Sequence, residues 1–356
     1  MIKVVVLVLF SLGYCQVLFA QEKDSTFYDE ERTLLREIFS KKNGLPDGLY
    51  QRFNEQGEVV ETGSFVAGKR EGLFISMFPG SADTLRKVYY ERGLRTGPAF
   101  SFYQSGTVSQ SANYVEDQLQ GIVKTFYESG EIKTQTDFLD NYPHGQRTSY
   151  YESGQLMEVA RFDRGILEGT LIRYHENGTT ASEATYKAGN LEGDFVSYHP
   201  NGEISAEIGY KRGVKHGPFL MYFEDGSLET KGNYRRGRPH GKFTTYHENG
   251  KIASTTSYRN GQVRGNAEVF YPTGELAKIT EHNSKGVPLL DKELFPGGTP
   301  KKITRFVNGK IDGEIVSYHP NGQIREIIPY AQGEMLGIYK QYDQAGELLL
   351  ERTIEK

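Results

Sequence analysis

Tryptophan is absent from the 356 residues, and cysteine occurs once, at Cys15. One cysteine permits no intrachain disulfide and no multi-thiolate metal site. Neither sign of charge prevails: 42 Lys and Arg stand against 46 Asp and Glu, a formal net charge of −4. That balance excludes the broad basic excess of a general nucleic-acid binder. Long apolar runs are missing except at residues 4–12. That run is too short for a membrane-spanning helix, so no transmembrane segment is expected in the mature chain. No H-E-x-x-H string, phosphate loop or Ser-His-Asp arrangement appears. We therefore expect no enzyme, no cofactor and no bound metal.

The first 20 residues have the form of a secretory signal: Lys3, the apolar run, then Ala20 before Gln21. The expectation is an exported protein, periplasmic or secreted, with a mature chain free of thiol. The alternative is a lipoprotein signal ending at Cys15. The bulky Tyr14 before that cysteine argues against it.

What the chain has is glycine, 41 residues of it, together with 24 Tyr and 20 Phe. The glycines recur as a G-x3-G pair followed nine residues later by another, and the unit repeats every 24 residues. The second glycine of the pair falls at Gly97, Gly121, Gly145, Gly169, Gly193, Gly217, Gly241 and Gly265. Such a period signals a repeat array, which needs no single large core. Counted from that glycine, position +5 is aromatic (Phe126, Tyr174, Tyr222, Tyr246), as is +17 (Phe138, Tyr186, Tyr234, Tyr258). Position +11 is aliphatic (Ile132, Ile204, Leu228, Ile252).

Between the two aromatic positions lie HENG, HPNG, YESG and FEDG, with the Asn-Gly and Asp-Gly signals of a hairpin turn. Each unit reads as strand, turn, strand, and the G-x3-G stretch turns the chain into the next hairpin. Positions +11, +13, +15 and +17 share a face by the two-residue period, and a bulged turn would add the +5 aromatic to it. Position +2 is also apolar (Val123, Leu171, Phe219, Phe243) but differs in parity from +5. Either a bulge intervenes or both faces carry apolar groups.

Thirteen units begin at Gly48, Gly72 and Gly97, then every 24 residues to Gly337, with Leu289 in one glycine's place. The predicted fold is all-β: an elongated single-chain antiparallel β-meander of about 13 hairpin repeats. The predicted organisation is a signal peptide (1–20), an N-terminal segment with a degenerate half repeat (21–47), the array (48–350) and a tail (351–356). An irregular unit is expected near 283–302, where Pro288, Pro296 and Pro300 remove ladder donors. Residues 31–39 read as a strand, with a helical face of Leu34, Leu35, Ile38 and Phe39 as the alternative.

The strings YHENGKIASTTSYRNGQVRG and YHPNGEISAEIGYKRGVKHG resemble the variant MORN repeat of bacterial proteins, including those grouped as YwqK-type antitoxins. The resemblance spans roughly residues 27–350. It implies a β-meander acting as an interaction scaffold, and for the antitoxin group a partner toxin. The export signal departs from that last role.

Four histidines (His175, His199, His247, His319) follow the +5 aromatic, and three (His144, His216, His240) precede a unit's first glycine. Successive hairpins would hold equivalents about 10 Å apart, too far to share an ion, so these read as structural or solvent-facing. The aromatic rows are a thin apolar layer in one reading and, if exposed, a strip for a glycan, peptidoglycan or peptide in another.

The turn edges differ in charge. YESGE, FEDGS and HPNGE are acidic. The windows 211–217, 235–241 and 259–265 carry Lys211, Arg212, Lys215, Arg235, Arg236, Arg238, Arg259 and Arg264 with no acid. These eight are the candidate partner-binding edge. The plain alternative is a solvated edge. The partners they would suit are another protein, an anionic surface or an envelope polymer. The functional expectation is a non-enzymatic, exported scaffold for protein–protein interaction in the bacterial envelope, with toxin immunity or glycan binding as alternatives.

Overall fold

The computed structural model describes residues 22–355. The expected export segment and Cys15 lie outside them. Every regular element among the described residues is a β-strand, 34 in all. Six are two-residue fragments, such as Lys69–Arg70 and Arg238–Pro239, each followed after one residue by a six-residue strand. Joining each fragment to its follower recovers two strands per repeat. One further hairpin, Glu22–Phe27 with Leu35–Lys42, precedes the first full unit. The strand expected from Glu31 therefore begins at Leu35, and the helical alternative is not realised.

The described residues form two compact units, divided between Ile166 and Leu167. Within each, a strand pairs antiparallel with the one before it and the one after it. Ile204–Lys211, for example, pairs with both Asn190–Tyr198 and Val214–Tyr222.

The two edges of a unit use different turns. On the glycine-pair edge, Lys211 lies opposite Val214, and the residues between them, Arg212 and Gly213, have φ of 51° and 74°. Two consecutive positive φ values define a two-residue type I′ turn, whose twist suits a hairpin. The pair's second glycine then sits in a bulge: Tyr210 pairs with Lys215 and Ile208 with Phe219, leaving His216, Gly217 and Pro218 against Gly209.

The Asn-Gly edge uses a different turn, in which the asparagine does not adopt positive φ. Gly250 N donates to His247 O at 2.8 Å, and His247 N donates to Lys251 O at 2.8 Å. Gly250 alone has positive φ, 78°. This is a type I turn closed by a glycine bulge. Asn249 contributes its side chain instead, accepting from Lys251 N at 3.0 Å.

That bulge decides the faces. Met221 pairs with Thr230, but Tyr222 pairs with Leu228, so the register shifts by one. Positions +5 and +11 thereby leave the face of +13, +15 and +17. Phe126 and Val108 line a shallow depression with Phe100, Ser111 and Lys124, and Tyr222 donates to Glu207 at 2.7 Å, all on the reverse side. The expectation that +5 and +11 share the +13 to +17 face is thus corrected. A bulge intervenes, and both faces carry apolar groups.

The front face holds the +2 and +17 rings. Phe219, Tyr234, Phe243 and Tyr258 follow one another edge to face, with centroids 5.4–5.6 Å apart. Small residues at +15 make room for them; a methyl group at Gly232 would lie 2.3 Å from the Phe243 ring. The apolar layer is thin. Its buried members include Tyr50, Phe74, Val123, Leu171, Ala184 and Ile315.

The irregular unit changes turn type. His282 pairs with Pro288, and Asn283 and Gly286 close a five-residue turn where neighbouring units place the two-residue one. A glycine at 286 with φ 79° makes that closure possible after the regular pair is lost.

Candidate functional site

Three consecutive type I′ turns build the candidate edge. Lys211 ends Ile204–Lys211, Arg235 ends Leu228–Arg235 and Arg259 ends Ile252–Arg259. Arg212 and Arg236 are the first residues of two of these turns, and Arg238 opens Arg238–Pro239. Successive turns stack: Val214 packs against Gly237, and the Arg238 stem against Gly261.

The structure brings part of the predicted set together. Lys211, Arg212, Arg235 and Arg236 surround an open, shallow concavity of about 540 Å³ with Val214 and His216. Arg238 and Arg259 continue the edge by one turn, and all six of these cations are exposed. No ion pair engages any of the six among the described residues. Unneutralised charge of one sign around a concavity attracts an anionic partner over the range of the Debye length.

The other two predicted residues do not join. Lys215 pairs with Tyr210, and its Nζ lies 5.2 Å from the ring centroids of both Phe219 and Tyr234. It is a cation packed on the front-face rings. Arg264 pairs with Ser257 and reaches Gln262 Oε1 at 3.4 Å. Parity separates Lys215, because alternate residues of a strand point to opposite faces. Arg264 occupies the slot of His216 two repeats on and is not part of the concavity's lining.

The histidines after the +5 aromatic are clamps between repeats. His175, His199, His247 and His319 place Nε2 2.9–3.1 Å from the carbonyl oxygens of Tyr198, Tyr222, Phe270 and Tyr342. Tyr103, Tyr127 and Tyr271 donate their hydroxyls to the same carbonyl position at 2.7–2.8 Å. Asn201 and Asn249 add Nδ2 bonds to Glu224 O and Pro272 O. Sequence reading missed this role. Its signal was the interchange of His and Tyr, the two ring side chains that present a polar tip at similar reach.

His144 Nδ1 lies 3.3 Å from Asp163, and His282 Nδ1 lies 3.1 Å from Gly265 O. No cluster of three or more His, Cys, Asp or Glu able to hold a metal occurs among the described residues. No helix there is long and apolar enough to cross a membrane. Neither aromatic row is exposed: the +5 and +17 rings are half-buried throughout.

Among solved structures, the chain aligns with the Photorhabdus luminescens Tc holotoxin pore at 12% identity, over 94% of this chain and 23% of that one, with a TM-score of 0.16. It aligns with a TcdB2-TccC3-Cdc42 crystal structure at 12% identity, over 90% of this chain and 22% of that one, with a TM-score of 0.13. The chain thus spans less than a quarter of either neighbour, and scores this low carry no argument about fold or role. A comparison with curated proteins gives no match. The family model of the MORN repeat variant matches residues 119–140, 143–163, 167–188, 191–212, 215–236, 239–260 and 311–332. These matches fall in phase with the hairpins described above, and this chain is a MORN-repeat protein of the variant type.

Proposed function

We propose that this repeat array is an exported, non-catalytic binding scaffold of the bacterial envelope, whose glycine-pair edge at residues 211–259 docks an acidic protein partner. The observation that carries this reading is the set of exposed cations without ion pairs around the Lys211, Arg212, Arg235 and Arg236 concavity. Export rests on the apolar run at residues 4–12 and the small residue Ala20. The half-buried aromatic rows offer no exposed ring strip to a sugar, which favours a protein partner over a glycan.

Charge reversal tests it. Arg235→Glu, Arg236→Glu and Arg238→Glu together leave the ladder intact, because these side chains point to water. Partner affinity is expected to fall at least tenfold, roughly 1.4 kcal/mol. Wild-type association is expected to slow as salt is raised and the Debye length shrinks to about 8 Å. Equal affinity of the folded triple variant and the wild type for the captured partner would rule the edge out.

A further inference from the structure

Five turns on the glycine-pair edge carry a carboxylate cap. The first turn residue's N–H donates to an acid just before the bulge glycine of the preceding hairpin. Ala67 N donates to Asp47 (3.1 Å), Arg92 N to Glu71 (2.8 Å) and Ala188 N to Glu168 (2.6 Å). Arg212 N donates to Glu192 (2.7 Å) and Gln332 N to Asp312 (3.3 Å). The acid is not present at every turn: Thr96, Gln120, His144 and Pro288 stand at that position for the turns at Glu116, Asp140, Arg164 and Asn308, and the turns at Arg236 and Asn260 also lack it. The capping position there holds His216 and His240, and neither turn N–H has a hydrogen-bond acceptor among the described residues. His240 Nδ1 and Arg264 Nε, both at capping positions, are buried without a partner. What sets Arg236 apart from the other uncapped turns is the concavity, which His216 and Arg236 line together with Lys211, Arg212 and Arg235.

We propose that an acidic side chain of a partner protein supplies the missing carboxylate, seating one oxygen on Arg236 N–H as Glu192 does on Arg212 N–H one repeat earlier. This rests on the docking edge proposed above and names the group it recognises. Lys211, Arg212 and Arg235 line the same space, so the incoming charge meets charge-assisted donors rather than a lone amide. A second seat follows at Asn260 N–H, about 10 Å along the array at two strand spacings. A polypeptide bearing several carboxylates fills both. The molecule itself argues for a carboxylate: that is the group the five intact turns already hold.

Restoring the internal cap is the test. His216→Glu places a carboxylate where Glu192 stands one repeat earlier, so it competes with the external one and preserves the fold. Binding of a fluorescent oligoglutamate peptide to the full chain, followed by polarisation, is expected to weaken about tenfold. Asn266→Glu adds the same charge at an exposed strand position away from the seat and is expected to weaken binding less than about threefold. His240→Glu, at the second seat, is an independent variant should the first fail to fold. Equal losses in His216→Glu and Asn266→Glu would overturn the seat. If the triple Arg variant still lost binding in that case, the docking edge would stand without it. No binding of the peptide by the wild type would overturn the proposal. So would equal binding of wild type and His216→Glu to phosphatidylglycerol vesicles in preference to the peptide, which would assign the cations to phosphate.

Discussion

Gly232 has an ordinary negative φ, so its value lies in the space it leaves. The Phe243 ring fills the volume that a side chain at 232 would need, and Phe219, Tyr234 and Tyr258 hold that ring. Gly232→Ala gains a little by restricting the unfolded chain, about 0.4–1 kcal/mol. Overpacking costs more, and a net loss of about 1–2 kcal/mol is expected in urea unfolding. Asn233→Ala, exposed and adjacent, is the comparison and should change little. Tyr50 makes the second prediction. Its hydroxyl donates to Glu37 at 3.2 Å. Burial first, and then the Glu37 and Glu61 carboxylates, hold it well above the usual tyrosine range. The folded state therefore keeps the proton when an unfolded tyrosine begins to lose it, near pH 10. The stability this provides is full below about pH 10 and is lost as pH rises further. The denaturation midpoint should fall between about pH 9 and 11.5, and fall less in Tyr50→Phe. The sequence displayed Gly232 as a small residue in the +15 slot. That the slot faces the next repeat's ring could not be read, because it depends on which neighbour pairs with it.

At the scale of the element, two turn types alternate along one chain. The glycine-pair turn needs two residues with positive φ, and the second is a glycine in most units, with Asp117 (φ 67°) and Asn141 (φ 70°) in its place in two. The opposite turn needs only one, and its asparagine is free to bond outward. Asn249 accepts from Lys251 N and donates to Pro272 O, holding its own turn and the next together. Asn249→Ala is expected to cost about 1–2 kcal/mol, two modest hydrogen bonds. Hydrogen exchange at Lys251 N should quicken, while Thr244 and Thr255 in the ladder keep their protection. A protected Lys251 amide in that variant would show the turn closed by its backbone alone. Strands, turns and their phase were legible here from glycine and aromatic spacing. The face of the +5 ring was not. A bulge adds a residue without altering the period, so a 24-residue repeat looks the same with the ring on either side.

For the whole molecule, stability is a chain of neighbour contacts, since the ring contacts and clamps run from one repeat to the next, as Phe219 to Phe243 and His247 to Phe270 O do. Removing one repeat in phase, residues 217–240, joins His216 to Gly241 and restores the same sequence of turns. That deletion is expected to yield a soluble protein with an unchanged strand-type circular dichroism spectrum and cooperative unfolding. Removing half a repeat, residues 217–228, sends every later turn to the wrong edge, and loss of cooperative unfolding is expected. Equal behaviour of the two deletions would contradict the repeat phase. The same locality sets what could be read in advance. Sequence alone determined the repeat length, the strand and turn order, the aromatic positions and the row of basic residues, because each is a local preference copied every 24 residues. Tertiary structure decided which face each ring occupies, that Lys215 leaves the basic edge for the rings, and that the acid before a bulge glycine, such as Glu192, caps the next turn's first N–H, at Arg212. Those outcomes depend on bulges and on contacts between residues about 20 positions apart, where register across strands, and not adjacency along the chain, sets what meets.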